Sequence, residues 1–225
     1  MTVDDAPRYA SPPCMAGEIA PGYFDPQQPG DVAPWRRAER ARLRGARQAM
    51  RVQERDAASA ALTGHLRALL AARFGEMRGR VVSAYWPING EPDLRPLMED
   101  LHGMGAIVAL PLVEVKRSPL VFRRWTPDTR MVRGDWNIPV PPGTAARVTP
   151  EITLAPLMGW DPAAYRLGYG GGYFDRTLAA LSPRPVTLGV GFQSAQLDTI
   201  HPQPHDIALD IIVTEAGLQV ERNAA

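Results

Sequence analysis

From residue 81 onward the chain is written in short apolar runs, set apart by polar, proline-bearing or glycine-bearing turns. VVSAYWP (81–87) and AIVALPLV (106–113) are nearly unbroken apolar runs, the pattern of strands covered on both faces. LVFRRW (120–125) alternates and reads as a strand with one covered face. ITLAPLMGW places a strand near 152–158, and VTLGVGF (186–192) and DIIVTE (210–215) read as later strands. Between these runs the pattern predicts helices over 94–104, ended by Gly103 or Gly105, and over 174–181. Strands alternating with helices predict an α/β fold: three layers, a largely parallel sheet with helices on both faces.

Upstream the pattern changes. Residues 35–73 are dense in Ala, Arg, Leu and Glu and predict one long helix, with Pro34 just before its start. Arg36, Arg40, Arg44, Arg47, Arg51 and Arg55 recur every three or four positions and fall in a stripe roughly 100° wide on a helix. Leu43, Ala46, Met50 and Ala57 occupy the adjoining face. Such a stripe is either a solvated cationic face or one turned to an anion. Residues 1–34 are rich in Pro, Gly and Asp, have no period, and read as an irregular extension. Residues 35–225 then form a single α/β domain.

Composition narrows the partners. The formal net charge is +1 over 225 residues, so any basic site is local. The single cysteine, Cys14, excludes an internal disulfide and a multi-cysteine zinc site. No H-E-x-x-H zinc signature is present. No apolar run approaches the roughly 18 residues that span a bilayer, and the first residues lack a signal-peptide pattern. The expectation is a soluble, cytoplasmic protein with no membrane partner.

One stretch carries chemistry. RLGYGGGYFDR, residues 166–176, sets Gly168, Gly170, Gly171 and Gly172 between two arginines. A glycine loop opening a helix lets backbone N–H groups close on an anion, and the helix adds its positive end. The stretch matches neither the Walker nor the dinucleotide glycine pattern. Arg166 and Arg176 suit phosphate oxygens, while Asp175 suits either a Mg²⁺ ion or a helix cap.

This stretch resembles the R-L-G-x-G-x-G-Y-[YF]-D signature of the 5-formyltetrahydrofolate cyclo-ligase (methenyltetrahydrofolate synthetase) family. Further landmarks are similar and fall in the family's order: RRAERARLRGARQAM…ERDAAS, YWPINGEPDLRPLM, AIVALPLV, WNIPVP, GVGFQ and HDIALDIIVTE. The resemblance implies a Rossmann-like cyclo-ligase fold. It also implies ATP- and Mg²⁺-dependent conversion of 5-formyltetrahydrofolate to 5,10-methenyltetrahydrofolate, with no protein nucleophile. Transferred residue by residue, Arg36 and Arg40 match the basic pair for ATP phosphates, with Arg36 where Lys is usual. Arg166, Gly168, Gly170, Gly171 and Gly172 match the phosphate cradle, and Tyr173 a ring beside nucleotide or folate. Asp175 matches the Mg²⁺-side carboxylate, Glu91 the acidic folate ligand, and Trp136 an aromatic packed on folate. Tyr85 and Trp86 read as core beside the pocket, and His205–Asp206 as a loop rather than a catalytic pair.

The chain departs from the family pattern in its leader, in Trp160 where Phe is common, and in WNIPVP, which lacks a Glu near its last proline. These departures keep open a divergent ATP-dependent enzyme acting on another small molecule. A nucleic-acid-binding module built on the arginine stripe is the alternative of a different class. Near-neutral charge and the absence of RNA-binding motifs weigh against it, so nucleic acid is not expected as a partner.

Overall fold

The computed structural model describes residues 29–222. Its centre is a seven-stranded sheet in the order β11-β10-β9-β6-β1-β2-β3. Here β1 is Val81–Ser83, β2 Ile107–Leu112, β3 Val121–Arg124, β6 Ile152–Pro156, β9 Val186–Val190, β10 Ile211–Thr214 and β11 Gly217–Glu221. Strands β10, β9, β6, β1 and β2 run parallel, and the edge strands β3 and β11 are antiparallel. Two short hairpins stand apart: β4 (Val132–Arg133) with β5 (Pro139–Val140), and β7 (Gly159–Trp160) with β8 (Arg166–Leu167).

The apolar runs form strands because both sheet faces are covered. One layer holds α2 (Val52–Phe74) and α3 (Arg95–Gly103), whose Leu62, Leu66, Leu70, Leu97, Met98 and Leu101 pack with Val82, Val108, Leu154, Leu188 and Val213. The other layer holds α4 (Tyr173–Ala180), whose Phe174 and Leu178 pack with Ala155, Leu209 and Ile212. Strand β10 alternates between the layers, with Ile211 and Val213 on one side and Ile212 on the other. Gly189 in β9 is a close approach: a Cβ there would lie 2.6 Å from Ile212 Cδ1. The three layers are those the sequence predicts.

The N-terminal helix differs from expectation at both ends. It begins at Pro29, so residues 29–34 of the expected irregular extension are helical and Pro34 lies inside α1 (Pro29–Ala49). Residues 1–28 of that extension lie outside the described residues. The expected single helix also breaks between Ala49 and Val52, where Arg51 is extended (φ −63°, ψ 148°). The break has a packing cause. Leu43 of α1 belongs to a cluster with Met158, Leu167 and Ile200, whereas Leu62, Leu66 and Leu70 of α2 belong to the main core. One straight rod does not serve both.

Connectivity fixes where a ligand goes. The β1–β2 crossover places α3 on one face, and the β6–β9 crossover places α4 on the other. Strands β1 and β6 are neighbours, so the chain diverges between them and leaves a crevice at their carboxyl ends. The segment entering it is anchored from beneath. Asp161 Oδ1 accepts the N–H groups of Ala163 and Tyr165 at 3.1 Å, and Oδ2 accepts that of Ile200 at 3.0 Å. Trp160 is buried and donates from Nε1 to the Phe192 carbonyl at 3.2 Å. Its departure from the family pattern is therefore met by core packing.

Candidate active site

A cleft of about 530 Å³ opens at the β1–β6 crevice, and α1, the turn after β1, the β4–β5 hairpin and the glycine loop line it. A more open basic groove of about 710 Å³ adjoins it along Arg36, Arg37, Arg40 and Arg44.

The glycine loop runs from β8 into α4. Gly170 (φ +95°) and Gly172 (φ +61°) take left-handed conformations that side chains resist. Arg166, the first residue of β8, has a side chain 7% exposed. Its Nη2 donates to Asp175 Oδ2 at 2.9 Å, and its guanidinium lies 4.5 Å over the Phe174 ring. Arg166 Nε is buried and has no hydrogen-bond partner among the described residues. Burial lowers the pKa of this guanidinium, opposed by Asp175 and Asp206. Asp175 Oδ1 accepts the Ile207 N–H at 3.3 Å. Each carboxylate oxygen thus accepts one hydrogen bond and keeps a lone pair. Arg176 turns away: it donates to the Gly171 carbonyl and lies 5.1 Å over the Tyr173 ring.

Helix α1 brings its arginines to this loop in distinct roles. Arg40 Nε donates to the Gly168 carbonyl at 2.7 Å. Burial and then Arg36 lower its pKa. Arg36 is buried and engaged: it donates to the carbonyls of Ile200 (3.0 Å) and His201 (2.8 Å) and forks onto Asp206. Burial would raise the Asp206 pKa, but Arg36, the Gln203 N–H and His205 hold it below the ordinary range. Arg36 therefore straps α1 to the loop before β10. That loop is irregular and proline-bearing, so His201 and His205, four apart, do not share a helix face. His205 Nε2 is 3.8 Å from Asp206 Oδ1 and lines the cleft with an exposed ring.

Across the cleft stands Glu91, 6% exposed, in the INGEP turn. Its Oε2 accepts the Ile88 N–H at 2.9 Å and its Oε1 accepts the Tyr169 hydroxyl at 2.6 Å. Burial raises its pKa, opposed by these two bonds and by Arg47. Tyr85 is buried and donates to the Pro92 carbonyl at 3.1 Å, while Trp86 is half-buried on the wall. At the mouth, Trp136 meets the Tyr173 ring edge-on at 5.6 Å. Trp136 is 68% exposed and left-handed (φ 54°), as is Asn137 (φ 62°). Such backbone is costly for a non-glycine residue.

The structure thus brings Glu91, Trp136, Arg166, the glycines, Tyr173 and Asp175 around one cleft, with Arg36 and Arg40 on its rim. Sequence reasoning passed over Tyr169 and had Arg47 only as one member of the arginine stripe; the two complete the wall around Glu91. The available signal was the one bulky residue inside a glycine run built for close approach.

No group of three or more His, Cys, Asp or Glu that suits a metal occurs among the described residues. Asp175 alone, with its remaining lone pairs, fits an ion held mainly by phosphate and water oxygens rather than a protein cage. No helix among the described residues is long and apolar enough to cross a membrane.

Fold and cleft define an open, three-layer α/β protein with its ligand crevice at the carboxyl edge of the sheet. The chain belongs to the 5-formyltetrahydrofolate cyclo-ligase family, whose model matches residues 32–215. It is 31% identical over 147 residues to the 5-formyltetrahydrofolate cyclo-ligase of Mycolicibacterium smegmatis, covering 62% of this chain and 75% of that one. It is 28% identical over 145 residues to that of Haemophilus influenzae, covering 61% and 78%. Its fold matches the structure of Aquifex aeolicus 5,10-methenyltetrahydrofolate synthetase with a TM-score of 0.71 at 26% identity, over 84% of this chain and 94% of that one.

Proposed function

We propose that this chain converts 5-formyltetrahydrofolate to 5,10-methenyltetrahydrofolate, using ATP with Mg²⁺ and releasing ADP and phosphate. The observation that carries this reading is one cleft with two chemically different walls in a member of this family: a glycine loop with Arg166 and Arg40 on one side, Glu91 on the other. In this reading the formyl oxygen takes the γ-phosphoryl group. N10 then closes on the activated carbon, loses its proton, and phosphate leaves.

The protein's task is alignment and charge balance rather than nucleophilic attack. The backbone at Gly168, Gly170, Gly171 and Gly172 gives phosphates close approach, and Arg40 and Arg166 offset their charge. Glu91 accepts N–H donors of the pterin. Trp136 and Tyr173 cover the folate and exclude water. Asp175 would hold the Mg²⁺ side of the nucleotide, where the ion neutralises phosphate charge. The cytoplasm is the compartment this reading implies.

The test is the ultraviolet absorbance of methenyltetrahydrofolate, with the purified protein, 5-formyltetrahydrofolate, Mg²⁺ and ATP, and ATP omitted as control. ATP-dependent product is expected. Folded, ATP-binding protein that yields none supports the second reading, a divergent enzyme with another small-molecule substrate. The engagement of Arg36 by Asp206, where the family usually carries Lys, is the observation that favours that alternative.

A further inference from the structure

Tyr169 lies in the middle of the glycine loop, yet its side chain leaves the loop and crosses to the opposite wall. Its hydroxyl donates to Glu91 Oε1 at 2.6 Å and accepts from Arg47 Nη2 at 2.8 Å. Arg47 Nε in turn donates to the Asn89 carbonyl at 3.0 Å, in the turn that carries Glu91. The Tyr169 ring lies beneath the guanidinium groups of Arg44 and Arg47, at 5.9 and 6.0 Å. Helix α1, the INGEP turn and the glycine loop therefore meet on one hydroxyl. Its neighbour Gly170 holds φ +95°, and a Cβ there would stand 3.5 Å from Arg40 Cζ, so the loop fits closely against α1.

A carboxylate in this setting has few orientations. Ile88 N–H fixes one oxygen and Tyr169 the other, leaving lone pairs on both for neighbouring N–H donors of a ligand. The residue that fixes Oε1 has its backbone in the segment that would close on phosphate, so a shift of that segment moves the hydroxyl as well.

We propose that Tyr169 is a positioning residue that couples the two halves of the cleft: closure of the glycine loop on ATP sets the Glu91 carboxylate for the folate ring, and folate binding holds the loop closed. This rests on the cyclo-ligase reading above. Coupling of this kind is reciprocal between the two ligands and is commonly about 5- to 150-fold.

The test is Tyr169→Phe in the full chain, which removes the hydroxyl and keeps the ring under Arg44 and Arg47. The expected result is a rise of about tenfold in KM for 5-formyltetrahydrofolate, the scale of a hydrogen bond to a charged group. The expected kcat stays within about threefold. Calorimetric titration gives the second readout: the factor by which a non-hydrolysable ATP analogue tightens folate binding falls to about one. Tyr169→Phe and Glu91→Ala, combined, are expected to be less than additive because they remove the same contact. A lower kcat at unchanged folate KM, an unchanged coupling factor, or full additivity overturns the proposal. The two readings fail separately. Wild-type protein without methenyl product overturns the cyclo-ligase reading and the folate assignment with it. Wild-type turnover that Tyr169→Phe leaves untouched overturns the role of Tyr169 alone.

Discussion

Glu91 shows the cleft working against the stability of its own fold. Burial raises its pKa, and hydrogen bonds from Tyr169 and Ile88, with Arg47 nearby, only partly offset that. A carboxyl whose folded pKa is raised stabilises the fold below its unfolded pKa, and this contribution is lost as pH rises through the folded value. At neutral pH the ionised group therefore carries a cost that a neutral side chain lacks. Glu91→Gln is expected to melt at the same or a higher temperature than wild type at neutral pH, with the gap closing near pH 4. Its folate KM should rise about tenfold. Melting curves at the two pH values and a folate titration check both halves; a lower melting temperature at neutral pH contradicts the electrostatic account. Glu91 was legible because its turn is a motif. Tyr169 was not, because its partners lie 78 and 122 residues away and local pattern is blind to them.

At the scale of elements, α1 is a strap whose arginines, in the proposed reading, divide between holding and binding. Arg36 forks onto Asp206 with both side chains about 10% exposed, and removing one partner of such a pair leaves a buried charge. Arg36→Ala is expected to cost about 3 kcal/mol of stability, read from a denaturant melt. Among the described residues, Arg40 donates its side-chain hydrogen bond to the loop carbonyl of Gly168. Arg40→Ala should change stability by less than about 1.5 kcal/mol and raise the ATP KM about tenfold. If the two variants exchange these effects, the division of labour is wrong. The arginine stripe was visible in sequence, but its break was not: Arg51 has ordinary helix propensity, and only the packing of α1 and α2 into separate clusters shows why the chain turns there. Pro34 misled in the other direction, reading as a boundary while lying inside the helix. Strands β4, β5, β7 and β8 have two residues each, too few to establish a period. Strand β11 follows a Glu215–Ala216 turn without the Asn-Gly or Asp-Gly signal of a tight hairpin.

At the scale of the whole molecule, the alternation of buried strands and crossover helices was enough to give the layers, because covering both sheet faces needs long apolar runs that the sequence displays openly. The crevice follows from connectivity, which is not written in any single run: it exists because α3 and α4 lie on opposite faces of neighbouring strands. The two walls of the cleft come from segments far apart in the chain, so its chemistry is assembled only by the finished sheet. At its mouth the fold holds Trp136 in a left-handed turn, 68% exposed, whereas Trp125 and Trp160 are 5% and 1% exposed. Indole emission depends on contact with water, so the molecule carries its own optical reporter of occupancy. Folate binding is expected to shift the emission to shorter wavelength and to protect it from iodide quenching. Trp136→Phe should remove the larger part of both changes, leaving the smaller contribution of half-buried Trp86 on the cleft wall and the light from the two buried indoles. A wild-type spectrum indifferent to saturating folate would mean that this indole does not cover the ligand.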